Sequence, residues 1–232
     1  MAHAYTEDQL VEQPAIGLFA LLGWETVSAM EETFGSGGTL GRETKGEVVL
    51  VDRLRDALAL LNPGLPPEAI QSAIDELARD RSAMSLEAAN REVYRLLKDG
   101  IPVSIPDREH GGQKLERLRV VDWAEPERND FLLVSQFSVV GSLYTCRPDL
   151  VGFVNGIPFA VIECKAPHEE LKQGISQMVR NQRDEYIPRL FSYAQLLLAT
   201  NKNELKYATT GTPARFWAAW KEEAPVDALR AV

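Results

Sequence analysis

The sequence predicts an α/β domain, a mixed sheet flanked by helices. Three observations predict it. Amphipathic segments fill residues 48 to 99 with apolar residues at a period near 3.6. After Gly100 the pattern changes to short apolar runs separated by turn residues. Helical periodicity then returns over residues 168 to 186. Helices on both sides of a central group of strands imply a sheet covered on both faces.

Taken in order, TEDQLVEQPAIGLFALL (6 to 22) predicts a helix with Thr6 as N-cap and acids in the first turn. Pro14 either kinks it or marks its true start. Gly23 ends it, and WETVSA (24 to 29) has strand character. SGGTLGRETKGE (36 to 47) is a loop by composition. VVLVDRLRDALALLN (48 to 62) predicts a helix stopped by Asn62-Pro63. PPEAIQSAIDELARD (66 to 80) has prolines and acids at its start, and SLEAANREVYRLLKDG (85 to 100) is bounded by Ser85 and Gly100.

IPVSI, KLERLRVVDW, DFLLVSQFSVV, DLVGFV and IPFAVIEC read as strands, and HEELKQGISQMVRNQRDEY as a helix. SYAQLLLAT and KYATTG read as two more strands around NKNE, with FWAAWKEE as a closing helix. The whole chain, 1 to 232, reads as a single domain, with 48 to 99 an inserted helical segment and 100 to 220 the core sheet and its helices.

The bulk numbers exclude several classes. The 232 residues, 45% hydrophobic and 25% charged, suit a globular domain, and no apolar run approaches the ~20 residues of a membrane span. The N-terminus lacks the parts of a signal peptide. Cys146 and Cys164 offer neither a disulfide framework nor zinc spacing. These features predict a cytoplasmic protein with no membrane partner. A net charge of −9 lowers the expectation of tight DNA binding by the whole surface, although a site can be locally basic.

The chemistry concentrates in RPDLVGFVNGIPFAVIECKAP (147 to 167). Its two strands are nearly continuous in apolar residues, so both faces are expected to be buried, and Asn155-Gly156 is a hairpin turn signal. A two-residue turn with regular pairing puts Asp149 on the face opposite Glu163 and Lys165. A three-residue loop with Gly156 left-handed brings all three to one face. Pro158 favours such irregularity, so a bulged loop, or an equivalent bulge elsewhere in the hairpin, is predicted. Two carboxylates and a lysine together suit phosphodiester hydrolysis: Asp149 and Glu163 can hold Mg²⁺, and Lys165 can orient a water and offset phosphate charge. The plainer reading is that Glu163 and Lys165 end a strand at the solvent boundary and pair with each other.

The P-D…E-x-K arrangement resembles the PD-(D/E)xK nuclease superfamily. The wider match includes YIPRLFSYAQLLLA, YATTGTP, ETKGEVVLVDRLRDALALLNPGLPPEAI, ANREVYRLLKDGIPV and NDFLLVSQFSVVG. It resembles the N-terminal domain of type I restriction enzyme R (motor) subunits. That resemblance implies a restriction-endonuclease-like fold, with Asp149, Glu163 and the Cys164 carbonyl as Mg²⁺ ligands and Lys165 as catalytic lysine. It also implies an acid on the first core helix, for which Glu12 is the candidate, with Glu7 and Glu92 behind it; a solvated helix face is the alternative for Glu12.

A family Q-x-x-x-Y motif fits imperfectly. Gln177 has the expected distance from Lys165 but Asn181 follows where tyrosine would stand, whereas Gln182 and Tyr186 match in type and lie later. Arg147, Arg180 and Arg183 are candidates for a basic DNA-binding rim; solvated helix positions are the alternative for each.

The resemblance further implies double-stranded DNA as substrate and modification and specificity subunits as partners. ATP would be used only by the helicase of a full-length subunit. No G-x-x-x-x-G-K-[ST] loop occurs here, so the chain reads as the nuclease part without its motor. Two alternatives stand beside that reading: a stand-alone repair or mobile-element nuclease of the same superfamily, and a catalytically silent scaffold that docks a motor.

Overall fold

The computed structural model describes residues 7–107 and 110–221. The chain opens with a π-helical turn, Asp8–Glu12, that runs directly into α1 (Gln13–Leu21). Pro14 lies in the first turn of α1, and because helical backbone precedes it, its missing N–H interrupts the ladder where the π turn gives way to α1. Gly23, at φ +88°, ends the segment. The predicted Thr6 cap lies outside the described residues.

β1 (Glu25–Ser28) and a loop lead to α2 (Val51–Leu61), α3 (Pro67–Ala78) and α4 (Leu86–Asp99). α2 begins three residues later than predicted. Val48, Val49 and Leu50 are buried, and the Leu50 N–H donates to the Gly156 carbonyl at 2.8 Å. Ser85 caps α4 by accepting from the Ala88 N–H, and Gly100 (φ +77°) closes it.

β2 (Ile101–Pro106) and β3 (Gln113–Leu118) form a separate antiparallel pair, with β2 near α3. The segment predicted to hold the core sheet therefore begins with a hairpin outside it, and the sheet takes β1 from before the helices. The strand predicted to run on to Trp123 stops at Leu118. Beyond that, the Asn62 side chain accepts from the Arg119 N–H (2.7 Å) and donates to its carbonyl (2.8 Å).

The predicted strand DFLLVSQFSVV is broken at Gln136 (φ +60°) into β4 (Phe131–Ser135) and β5 (Val139–Val140). β5 pairs with β6 (Thr145–Cys146). The hairpin of β7 (Leu150–Val154) and β8 (Ile157–Cys164) follows, then α5 (Leu171–Asn181) and α6 (Pro188–Tyr193). β9 (Leu196–Thr200), β10 (Leu205–Ala208) and β11 (Ala218–Ala219) complete the described elements.

Three expectations at this end are corrected. The helix predicted to reach Tyr186 stops at Asn181, beyond which the chain turns tightly: the Arg183 N–H donates to the Arg180 carbonyl and the Ile187 N–H to the Asn181 carbonyl. Ser192-Tyr193, predicted as strand, ends the helix that Pro188 starts. The predicted closing helix is instead a 3-10 turn and an edge strand, since Ala218 and Ala219 pair with Tyr207 and Lys206 on the open edge of β10.

The central sheet has the order β1-β4-β7-β8-β9-β10-β11. β1–β4 and β8–β9 are parallel and the other neighbours antiparallel, so the sheet is mixed, as predicted. Leu133, Leu150, Ile162 and Cys164 pack against Val11 and the start of α1. Val134, Val151, Phe153 and Val161 join the larger core that includes α5 residues Leu171, Ile175 and Met178. No helix among the described residues is long and apolar enough to cross a membrane.

Candidate active site

The β7–β8 hairpin sets the geometry. Asn155 (φ +52°) and Gly156 (φ +76°) form a two-residue turn with both φ positive, and Val154 pairs with Ile157. The three-residue loop is therefore not used. The irregularity lies two residues further on: Phe153 pairs with Pro158 but Gly152 with Ala160, leaving Phe159 as the extra residue. This is the equivalent bulge, placed beside Pro158. Leu150 then pairs with Ile162, which brings Asp149 opposite Glu163 on one face. The turn itself is locked in place. Asn155 is fully buried, with its side chain bonded to Asp130, Val120 and Asn129, and a β-carbon on Gly156 would lie 2.4 Å from the Leu50 carbonyl oxygen.

Asp149, Glu163 and Lys165 converge at the end of these strands. Lys165 Nζ lies 2.8 Å from Glu163 Oε1 and 2.8 Å from the Cys164 carbonyl oxygen. The Cys164 N–H donates to Asp149 Oδ2 at 2.7 Å. Glu163 is buried, and its Oε2 has no hydrogen-bond partner. Burial, then the charge of Asp149, raises the Glu163 pKa to about 8. Burial also raises Asp149, against the pull of the Cys164 N–H and Lys165. For Lys165, burial is the largest influence and acts downward, but Glu163, Glu7 and Asp149 together outweigh it and the pKa stands above the ordinary value. The Cys164 thiol is buried and pushed upward by desolvation and by Asp149, so it remains a neutral thiol.

The donor set suits a hard divalent cation: two carboxylates and a carbonyl, one carboxylate oxygen buried and unpartnered. Among the described residues no group of three or more His, Cys, Asp or Glu side chains is placed to hold a metal. The fit thus rests on Asp149, Glu163 and the main chain, with water able to complete the sphere of an ion such as Mg²⁺.

The helical acids separate clearly. Glu12 is 5% exposed, and both its oxygens accept from Gln136 Nε2 at 3.1 Å. Burial raises its pKa, the Gln136 bond offsets part of that, and the charge of Asp149 reaches it. Glu7 lines the cleft over Lys165, and burial raises its pKa while the charge of Lys165 pulls against that. Glu92 stands apart on α4, paired with Arg79 and Arg81, which removes it from the candidates.

α5 forms the other wall. Gln173, Ser176, Gln177 and Arg180 share its cleft-facing side with Lys172, opposite Lys165, Glu7 and Glu169. Gln177 is thus in the cleft. Gln182 is not: it caps α5, donates to the Met178 carbonyl and accepts from the Gly211 N–H. Tyr186 lies beyond the helix, stacked on Tyr144 at 4.8 Å and under the Arg180 guanidinium. Arg147 is exposed and contacts Met30; Arg183 is exposed and does not line the cleft.

Two residues escaped the sequence reading. Gln136 gave only a weak signal, a polar residue between two apolar runs. Gly174 was legible as a glycine within a helical period. A β-carbon there would lie 3.3 Å from Lys165 Cγ and 3.4 Å from Glu163 Cγ, so the glycine lets α5 approach these two side chains.

A mixed α/β sheet carrying carboxylates and a lysine at the end of its central hairpin defines a restriction-endonuclease-like domain. The profile of the type I restriction enzyme R protein N terminus matches residues 4–216. The chain belongs to that family. The type I restriction enzyme HindI endonuclease subunit of Haemophilus influenzae is 31% identical over 215 residues, covering 91% of this chain and 20% of its own length. A Methanocaldococcus jannaschii protein carrying the endonuclease-subunit name MjaIXP is 28% identical over 216 residues, with the same two coverages. The chain spans about a fifth of the length of these relatives.

Proposed function

We propose that this chain is the Mg²⁺-dependent nuclease domain that cuts double-stranded DNA within an ATP-driven type I restriction complex in the cytoplasm. The observation that carries the reading is the convergence of Asp149, Glu163 and Lys165 around an unpartnered buried carboxylate oxygen. Family membership and the endonuclease-subunit names of the relatives support it.

Asp149, Glu163 and the Cys164 carbonyl would hold Mg²⁺. Bound there, the ion would supply Lewis-acid stabilisation of the scissile phosphate and make water a better nucleophile at neutral pH. Asp149 is oriented for this by the Cys164 N–H. Lys165 would exchange its bond to Glu163 for one to the phosphate or the attacking water, keeping a positive charge where negative charge develops. Arg180, Lys172 and Gln177 border the cleft and would receive the DNA backbone. ATP would be consumed elsewhere in a full-length subunit, and the site would be directed to DNA by modification and specificity subunits.

The test is Lys165→Ala in the full-length subunit, assembled with its partners. DNA cleavage should fall about 10²–10³-fold, as when a charge-stabilising donor is removed, while ATP hydrolysis persists. Unchanged cleavage would refute the catalytic assignment. Robust cleavage by the wild-type chain alone, with Mg²⁺ but no ATP, would favour a stand-alone nuclease instead.

A further inference from the structure

Gln136 stands where β4 leaves the sheet, with φ +60°. Asn155 is the other non-glycine residue with positive φ among those described, and it sits in a hairpin turn, where asparagine is at home. Glutamine has no such preference, and the left-handed region disfavours any residue with an ordinary side chain. A turn is needed here, because Phe137 must reach the core, where it packs edge-on against Phe153 at 5.3 Å. Glycine would make that turn with less strain. What glycine lacks is the amide.

Both polar ends of Gln136 go to carboxylate-bearing residues. Its main-chain N–H donates to the Asp149 carbonyl at 2.8 Å, one step beyond the last β4–β7 pair, Ser135 with Leu150. Its side-chain Nε2 lies 3.1 Å from each oxygen of Glu12, which is 5% exposed. One residue therefore ties the π-helical turn to the strand that carries Asp149. Backbone strain of this kind persists where the surroundings impose it, and a functional site is a common reason.

We propose that Gln136 is a positioning residue of the cation site: its main chain holds Asp149, and its side chain holds Glu12 as the outer carboxylate of the same site. The proposal rests on the reading of Asp149 and Glu163 as ligands of a divalent cation.

The experiment is Mn²⁺ titration of the chain by calorimetry, for wild type, Gln136→Gly, Gln136→Met and Glu12→Gln, alongside metal-free thermal melts. Gln136→Gly should bind Mn²⁺ about tenfold more weakly, the lower end of the effect of losing an outer partner. It should nonetheless fold and melt near wild type, since relief of the left-handed backbone offsets part of the loss of the Glu12 bond. Gln136→Met keeps the length and the backbone demand but has no amide, so it should show the same loss even if the glycine variant folds poorly. In a Glu12→Gln background, Gln136→Gly should add little. Wild-type Mn²⁺ affinity in both Gln136 variants would overturn the proposal alone. Absence of Mn²⁺ binding by the wild type would overturn the cation reading and this proposal together.

Discussion

Two buried ion pairs in this molecule are built in opposite ways. Arg42 and Glu32 are 0% and 2% exposed at their side chains, and Lys165 and Glu163 are 11% and 1% exposed. Arg42 uses all three of its nitrogens: Nε and Nη2 reach both Glu32 oxygens at 2.6 and 2.5 Å, Nη1 reaches the Glu47 carbonyl and Nη2 also the Ser138 carbonyl. The Phe137 ring lies 4.0 Å from its guanidinium carbon. Glu163 meets Lys165 through one oxygen and leaves the other bare, next to a second carboxylate. A closed pair has nothing left to offer a ligand and can only hold the 32–47 loop to the sheet. An open pair keeps an unmet acceptor in low dielectric, where a cation would be strongly attracted.

The contrast yields predictions of decreasing size. Arg42→Ala should destabilise the chain by about 3–5 kcal/mol, because it strands a buried carboxylate and two carbonyls. Glu163→Gln should not destabilise the chain: its carbonyl oxygen can still accept from Lys165, so near pH 5, where the carboxyl is protonated, stability should change by no more than about 1 kcal/mol, yet the substitution should abolish Mg²⁺ binding. Urea denaturation and metal titration of the two variants would test this, and an Arg42→Ala chain as stable as wild type would erase the distinction.

The second prediction concerns pH. A carboxyl whose pKa rises from 4.5 to about 8 on folding holds its proton more tightly in the folded state. That stabilisation is complete below about pH 4.5 and is lost as pH rises through 8. The metal-free chain should therefore lose stability between pH 5 and 8, by ~1.4 kcal/mol per pH unit at most from this group. Melts across that range should show a shallower slope in Glu163→Gln and in wild type with Mg²⁺. A slope unaltered by Glu163→Gln would place the raised pKa elsewhere.

The smallest effect sharpens the site itself. In an open helix, Gly174→Ala would add ~0.5–1 kcal/mol of stability. Here the new methyl presses on Lys165 and Glu163. Most of that gain should vanish, and cleavage should fall about tenfold with Lys165 displaced. A variant both more stable and fully active would mean that the close approach has no role in the chemistry.

Where signals were local, the chain was readable. Ser85 and Gly100 bound α4 because a hydroxyl cap and a left-handed glycine act within one turn. Asn155-Gly156 made the expected hairpin for the same kind of reason. The bulge could be foreseen but not placed. Pro158 demanded irregularity, whereas its position at Phe159 was settled by the burial of the turn against Leu50 and by the Gln195 N–H, which bonds the Phe159 carbonyl. The choice between Gln177 and Gln182 turned on where α5 stops, and beyond Asn181 the chain turns back on itself, with the Ile187 N–H returning to the Asn181 carbonyl.

The residue types of the candidate site, Asp149, Glu163 and Lys165, and the strands that carry them were determined by sequence alone. Apolar runs, turn dipeptides and a P-D…E-x-K spacing act over a few residues and survive without context. Tertiary structure decided which face Asp149 shares, which helical acids approach it and what holds them. Register and helix ends depend on contacts beyond the local run, and the reach of Gln136 to Glu12 joins segments 124 residues apart. No local energy term contains that information.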